Sequence, residues 1–316
     1  MNARVDIRER LGEHEVAAVV ALVDAATEAD SVRPLNEHVM LHLRYGGDPG
    51  AKAMLLYDGD TLAGFAHIDP TDQVEGPSGE LVVHPGHRRR GYGRRLAEAA
   101  LAESGGRLRL WAHGDHGEAG RLAASMGFSR ARSLWQMRRS LLEPIPGAAL
   151  PEGVRLRTFE PGSDEEAWLA VNARAFAHHP EQGSWTRDDL ILREREPWFD
   201  PAGFFLAVRD TPRPGAGPPA TGSGLAGFHW TKVHGDDDPE APHGHKAIGE
   251  VYVVGVDPSE QGSGLGRALT LAGLEHLRAR GLSQVMLYVD EDNPAAIRVY
   301  ESLGFTRWAV DVMYRH

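Results

Sequence analysis

The stretch that decides the fold reads VVGVDPSEQGSGLGR at residues 253–267, and a second version of it, ELVVHPGHRRRGYGR, occupies residues 80–94. In each, an apolar run typical of a buried strand ends at a proline and is followed by a glycine-rich loop and a helix-like segment. Pro85 and Pro258 are 173 residues apart (258 − 85). A strand, glycine loop and helix that occur twice predict two copies of one α/β unit.

The segments that follow the two loops repeat as well. WAHGDHGEAGRLAASMGF (111–128) aligns without gaps to YVDEDNPAAIRVYESLGF (288–305). Each copy is predicted to run strand, two helices, three strands, helix, strand, helix and strand, an order that implies a mixed sheet. The Pro- and Gly-rich segment LEPIPGAALPEG predicts a linker at 142–153 between domains 1–141 and 154–316.

Composition excludes several protein classes. The 316 residues include 34 Lys plus Arg against 45 Asp plus Glu, which gives a net charge of −11, so general nucleic-acid binding is not expected. The absence of cysteine excludes disulfides, thiolate metal sites and a cysteine nucleophile. No apolar run has the length of about 20 residues that a membrane span needs, and no signal peptide is visible. We expect a cytoplasmic monomer.

The glycine loop is the chemical centre of each copy. Glycines at 262, 264 and 266 let the backbone turn sharply, and the first N–H groups of the following helix form an anion site. The first copy adds Arg88, Arg89, Arg90 and Arg94, which suit phosphate groups. The loop is neither a dinucleotide fingerprint nor a Walker A motif, because the required acidic residue and the Gly-Lys-Ser/Thr sequence are missing.

The two loops resemble the (Q/R)-x-x-G-x-(G/A) hallmark of the GNAT acyl-CoA N-acetyltransferase superfamily, at Gln261–Gly266 and Arg88–Gly93. The resemblance implies acetyl-CoA as co-substrate, with the loop amides on its pyrophosphate and the preceding strand along its pantetheine arm. In the second copy the implied CoA-binding residues are Val254, Gly255, Val256, Gln261, Gly262, Ser263, Gly264, Leu265, Gly266, Arg267, Asn293, Pro294, Ala295, Ala296, Ile297 and Arg298. In the first copy they are Leu81, Val82, Val83, Arg89, Arg90, Gly91, Tyr92, Gly93 and Arg94.

Longer segments resemble a narrower group of tandem GNAT enzymes from actinobacteria, among them GFHWTKVH (227–234), QMRR (136–139) and LYVDEDNPAAIRVYESLGF (287–305). This resemblance implies that the acceptor is the cysteinyl amine of desacetylmycothiol (Cys-GlcN-Ins). The substrate contacts it implies are Glu37, Glu181, Lys232, Glu250 and Tyr288.

The two copies differ at the residues that chemistry needs. Tyr300 aligns to Ala123, and Glu250 lies eight residues before its proline whereas Glu80 lies five before its own, so the residue aligned with Glu250 is Pro77. In regular strands, a displacement of three residues places the two carboxylates on opposite faces. We therefore predict that the second copy is catalytic, with Glu250 as general base and Tyr300 as general acid, while the first copy binds CoA without catalysing.

The residues alone leave other functions open. A GNAT enzyme for a different amine, such as an aminoglycoside or a protein N-terminus, and a non-catalytic acyl-CoA sensor both fit the loops. The segment HGDDDPEAPHGH (234–245) is rich in metal-binding residue types, but its spacing matches no zinc or calcium motif. We interpret it as a solvated loop and expect no metal.

Overall fold

The computed structural model describes residues 3–46, 50–72, 75–210, 224–235 and 247–316, apart from the side chains of residues 180 and 181. The chain divides into two compact units. The first contains residues 1–135 with 290–292 and 309–316, and the second contains residues 136–289 with 293–308.

The first unit is a mixed sheet with helices on both faces. Its strands are β1 (Ala3–Arg8), β2 (Lys52–Asp58), β3 (Thr61–Asp69), β4 (Ser78–Val83) and β5 (Arg109–Ala112), and its helices are α1 (Glu13–Asp30), α2 (Glu37–Tyr45), α3 (Tyr92–Glu103) and α4 (Gly117–Ser125). Strands β1 to β4 are antiparallel neighbours in chain order, whereas β4 and β5 are parallel. A parallel pair requires a crossover, and the glycine loop with α3 provides it.

The second unit repeats this order. Its strands are β7 (Val154–Thr158), β8 (Phe204–Arg209), β9 (Leu225–His234), β10 (Ile248–Val256) and β11 (Gln284–Asp290), and its helices are α5 (Glu165–Ala175), α6 (Pro180–Gly183), α7 (Arg187–Glu194), α8 (Leu265–Ala279) and α9 (Pro294–Ser302). Strands β10 and β11 are the parallel pair, while β7 to β10 are antiparallel. The predicted mixed α/β fold with two tandem copies is confirmed.

Two strands, β6 (Ser129–Ser140) and β12 (Thr306–Arg315), are divided between the units. The end of β12 pairs with β5 in the first unit, Val312 opposite Ala112, and the end of β6 adjoins β11 in the second. The compact units therefore differ from the predicted division at residues 141 and 154. A repeat in sequence shows which copy a strand belongs to, but it does not show which sheet edge the strand completes.

The burial pattern explains why each sheet is covered on both faces. In the first unit, Leu55 and Phe65 pack under α1 and α2, whereas their strand neighbours Leu56 and Ala66 pack under α3. In the second unit, the corresponding first face carries an aromatic cluster. It contains Trp168, Trp185, Trp198, Phe204, Phe228, Trp230 and Tyr252. Alternating apolar side chains thus have a helical partner on either side of the central strands.

Gly273 of α8 provides a stability prediction. A Cβ at this position lies 1.9 Å from Cε1 of His229, a fully buried side chain whose Nδ1–H donates to the Leu269 carbonyl at 2.7 Å. Burial lowers the pKa of His229 to about 4, so the ring is packed as a neutral group. Gly273→Ala is expected to destabilise the protein by about 1–3 kcal/mol, although alanine normally favours a helix.

Thermal unfolding checks this expectation, with Gly117→Ala as the matched control. A Cβ at Gly117 meets only the flexible tip of Arg121, at 3.2 Å. An unchanged or higher Tm in Gly273→Ala contradicts the packing argument.

Candidate functional site

The glycine loops of the two units share one backbone conformation. Gly262 and Gly264 have φ values of 76° and 84°, and their counterparts Arg89 and Gly91 have values of 65° and 82°. A Cβ at Gly262, Gly264 or Gly91 meets no atom within 4 Å, so the loop surface is open to a ligand. Left-handed residues that precede a helix N-terminus turn successive N–H groups to one side, as anion sites require. Both loops fit a pyrophosphate group.

The basic side chains of the loops have partners of their own. Arg94 and Arg267 donate to the equivalent serines Ser125 and Ser302, at 2.7 and 2.8 Å, and both remain at the solvent surface. Arg90 donates to Asp58 at 3.2 Å.

Arg88 has a different environment from these three side chains. Its guanidinium makes two 2.7 Å hydrogen bonds to Asp30 and one of 3.1 Å to the Val83 carbonyl. Arg88 is thus held by a bidentate ion pair with Asp30, and its role toward phosphate stays a prediction.

The parallel strands separate next to each loop. The register of β10 with β11 ends at Val251–Leu287, and that of β4 with β5 ends at Glu80–Trp111. Beyond these pairs, 254–256 and 81–83 run on toward their loops, so main-chain groups on one side of each segment face the opening. Such a strand edge can hydrogen-bond an extended amide-bearing chain.

In the first unit the strand opening widens into a cavity of about 170 Å³. Its lining includes Leu81, Val82 and Val83, which were predicted to contact CoA, together with Trp111 and Leu122. The lining is mainly apolar, which suits the alkyl portions of a pantetheine arm.

Glu250 occupies the corresponding end of the second unit. The residue is 7% exposed, and one carboxylate oxygen, Oε2, accepts a 2.6 Å hydrogen bond from Nε2 of His234. Lys232 is its partner across the β9–β10 ladder, and the Lys232 ammonium lies 4.2 Å from the centre of the Trp198 ring. The structure thus brings together two of the predicted residues, Glu250 and Lys232. It adds His234, which sequence reasoning had considered only as a metal ligand.

A β-bulge corrects the predicted relation between Glu250 and Glu80. The β9–β10 register shifts between Val251 and Val253, so Tyr252 is an additional residue that the first copy does not have. The counterpart of Glu250 is therefore Ser78 and not Pro77. It also follows that Glu80 and Glu250 lie on corresponding faces of their sheets, and the predicted opposite orientation was wrong because it assumed regular strands.

The carboxylate of Glu80 is fully engaged in the first unit. Its Oε1 lies 3.0 Å from Nε2 of His113, and its Oε2 accepts from the backbone N–H of Asn36 at 2.7 Å. The other ring nitrogen of His113 lies 2.9 Å from Asp311, whose second oxygen accepts from the Gly114 amide. These two carboxylates raise the pKa of His113 to about 10 despite its burial, so the ring is an imidazolium between two anions.

Tyr300 lies on α9 with its ring 5.9 Å from that of Phe305. Burial raises the pKa of its phenol to about 12, so the hydroxyl stays protonated throughout the neutral range. The contacts of the two predicted catalytic residues differ: Glu250 is hydrogen-bonded to His234, whereas Tyr300 packs against Phe305. Asn293 caps α9 by accepting from Ala296 N at 3.1 Å, as expected for a residue before Pro294.

The other predicted substrate residues are distributed over both units. Tyr288 is 40% exposed on β11 and accepts a hydrogen bond from Gln136 at 2.8 Å. Glu37 begins α2 of the first unit. Glu181 lies in α6, and its side chain is outside the described part of the structure.

Comparison with known proteins decides the family. Residues 167–305 match the acetyltransferase (GNAT) family, and residues 49–130 match a GNAT acetyltransferase domain. Over the full length of both chains, the protein is 68% identical to the mycothiol acetyltransferase of Streptosporangium roseum and 65% identical to that of Thermobispora bispora. The chain belongs to the GNAT acetyltransferase family. It is an enzyme of the acyltransferase class.

Solved structures agree with this tandem GNAT fold. A tandem GNAT protein from the clavulanic acid biosynthesis pathway superposes with a TM-score of 0.72 at 21% identity, covering 100% of this chain and 98% of its own. A GCN5-related N-acetyltransferase from Sphaerobacter thermophilus gives 0.66 at 24% identity, covering 99% and 95%. At such identities the likeness concerns the fold alone.

Two further observations apply to the described residues of this GNAT enzyme. None of their helices combines the length and apolar character that crossing a bilayer requires. Nor do they place three or more His, Asp or Glu side chains where a metal ion could be held. Apart from His234 and Gly235, the segment 234–245, which is rich in metal-binding residue types, lies outside the described residues.

Proposed function

We propose that this enzyme transfers the acetyl group of acetyl-CoA to the cysteinyl amine of desacetylmycothiol, giving mycothiol and CoA. The observation that carries the proposal is the buried Glu250 carboxylate, held by His234 beside the opening between β10 and β11. Strand β10 runs on from Glu250 to Val256 and leads into the glycine loop at 262–266, so the base and the proposed phosphate site lie along one stretch of the chain. The relatives at 68% and 65% identity are named mycothiol acetyltransferases, which supports an acceptor from mycothiol synthesis.

Glu250 is the general base of the proposed reaction. A free α-amine has a pKa of about 8, so removing its proton near neutral pH is a modest demand on a carboxylate. His234 donates to Oε2, and Oε1 accepts the amine proton, directly or through a water molecule. His234 is thus a positioning residue: it fixes which oxygen of Glu250 is basic.

The remaining groups act on the acetyl carbon and the sulfur. The amine nitrogen bonds to the carbonyl carbon, backbone N–H groups of 254–256 stabilise the oxyanion, and the C–S bond then breaks. The departing thiolate takes its proton from the Tyr300 hydroxyl, and the second proton released by the new amide nitrogen restores the phenol through solvent. With no cysteine in the chain, direct attack on the thioester accounts for the transfer without a cysteinyl acyl-enzyme.

The first unit binds CoA without catalysing in this proposal. Its loop and cavity fit the ligand, but both oxygens of Glu80 are engaged by His113 and by the Asn36 amide. Ser78 stands where Glu250 stands in the second unit, and Ala123 where Tyr300 stands.

A panel of acceptors tests the proposal. Initial rates of CoA release are measured with desacetylmycothiol, an aminoglycoside and a peptide with a free N-terminus. We expect kcat/KM for desacetylmycothiol to exceed the others by at least about 100-fold, since buried polar contacts discriminate strongly. A higher kcat/KM for another amine would show that this amine is the acceptor. Binding of acetyl-CoA without turnover of any acceptor would support a non-catalytic acyl-CoA sensor.

Tyr300→Phe tests the proposed acid. Because thiolates leave readily, we expect kcat to fall by about 10-fold, the lower end of general-acid effects, with little change in KM for acetyl-CoA. Steady-state rates together with thermal unfolding separate this loss from a loss of folding, since phenylalanine keeps the contact with Phe305. An unchanged kcat removes Tyr300 from the mechanism.

A further inference from the structure

A row of four linked side chains crosses the second unit near Glu250. Gln136 Nε2 donates to the Tyr288 hydroxyl at 2.8 Å, and Arg138 Nε donates to Gln136 Oε1 at 3.0 Å. The Arg138 guanidinium lies 4.5 Å from the centre of the Trp308 ring. We call Tyr288, Gln136, Arg138 and Trp308 the aromatic–polar row.

The row lies on the same face of the sheet as Glu250. Glu250 and Met286 are register partners on parallel strands, and Tyr288 follows Met286 by two residues, which returns its side chain to that face. Gln136 and Arg138 alternate with Met137, which is 1% exposed and points the other way. The row therefore begins about 7 Å along the strand from the level of the base.

The row is open to solvent. Trp308 is 65% exposed, and with Tyr288 it is among the few large apolar side chains that the described residues leave at the surface. An exposed cation–π pair contributes little to stability, so folding alone gives little reason to present a tryptophan there. Exposed aromatic surface beside fixed polar groups is typical of a recognition site.

We propose that the aromatic–polar row is the subsite for the sugar rings of the acceptor. A polyhydroxylated ring has an apolar C–H face that packs on an aromatic ring and hydroxyls that bond to amide and guanidinium groups. Three neighbouring strands, β11, β6 and β12, carry the row, and at about 4.8 Å between strands it extends about 10 Å, the scale of a disaccharide. This inference rests on the proposed function, which places the acceptor amine at Glu250.

Trp308→Ala tests the subsite with two acceptors. One is desacetylmycothiol and the other is L-cysteinamide, which has the reactive amine and thiol but no sugar. We expect kcat/KM for desacetylmycothiol to fall about 10-fold, through KM, and that for L-cysteinamide to change less than 2-fold. Trp308→Phe restores most of the loss, because it keeps an aromatic face. Leu142→Ala, which truncates another exposed apolar side chain of this unit, is the control.

Calorimetric binding of both acceptors to the CoA-bound enzyme separates this inference from the proposed function. Weaker binding of desacetylmycothiol alone in Trp308→Ala supports the row even if turnover shows a different acceptor chemistry. Equal losses for both acceptors, or no loss for either, overturn it. So does a wild-type enzyme that binds desacetylmycothiol no more tightly than L-cysteinamide.

Discussion

Glu250→Gln is expected to lower kcat by about 10²–10³, because the amide keeps the shape of the side chain and removes the basic oxygen. The loss falls on kcat and on kcat/KM together, since proton removal belongs to the transition state and not to ground-state binding. Initial rates of CoA release, measured at saturating acetyl-CoA over a range of acceptor concentrations, give both kcat and kcat/KM.

The Glu250→Gln result is informative because the fold tolerates the change. Glu250 is buried and accepts a hydrogen bond from His234, whose side chain is 37% exposed. A glutamine amide oxygen accepts the same hydrogen bond. Unfolding temperature should therefore move little. A large drop in Tm with the loss of activity contradicts a catalytic role and indicates a structural one.

His113→Leu is expected to cost the first unit about 3–5 kcal/mol of stability, the range found when one member of a buried ion pair is removed. The substitution leaves Glu80 and Asp311 buried without their shared cation. Thermal or denaturant unfolding measures the effect. His116→Leu is the matched control, because His116 lines the same cavity but is exposed. Equal stability of the two variants contradicts the ion-triad argument.

The same triad gives the wild-type protein a pH dependence. The pKa of His113 is raised from 6.5 to about 10 in the folded state, so the stabilisation is fully present below pH 6.5. It is lost as the pH rises from 6.5 through about 10, where the folded protein also releases the proton. We expect Tm to decline over this window in wild type and to be flatter in His113→Leu.

Much of the fold could be predicted from the sequence, because the strand, glycine loop and helix occur twice and the segments that follow them repeat as well. Each glycine loop was predicted to lie between a strand and a helix, and the structure has β4 and α3 around the first loop and β10 and α8 around the second. Periodicity, proline and glycine fix such elements locally. The exchange of strand ends at β6 and β12 was not predicted, because pairing at a sheet edge depends on contacts far apart in the chain.

The candidate site was predicted less completely, for two physical reasons. The bulge at Tyr252 changes which residues face the site, and an insertion of one residue leaves no trace in apolar alternation that is already irregular. His113 and Asp311 meet although 198 residues separate them, and no local pattern records such a contact. His234 could have been found from the sequence, because it lies two residues after Lys232 on the same strand and therefore on the same face. It was missed because the segment from 234 to 245 was interpreted as a solvated loop.

The comparison of Glu250→Gln with Glu80→Gln tests the central claim, that the second unit performs the chemistry, most directly. The two substitutions are identical and fall on corresponding faces of the two copies. The account predicts that kcat for acetylation of desacetylmycothiol falls by about 10²–10³ in Glu250→Gln and stays within about 2-fold of wild type in folded Glu80→Gln. A kcat lost in Glu80→Gln and retained in Glu250→Gln contradicts it.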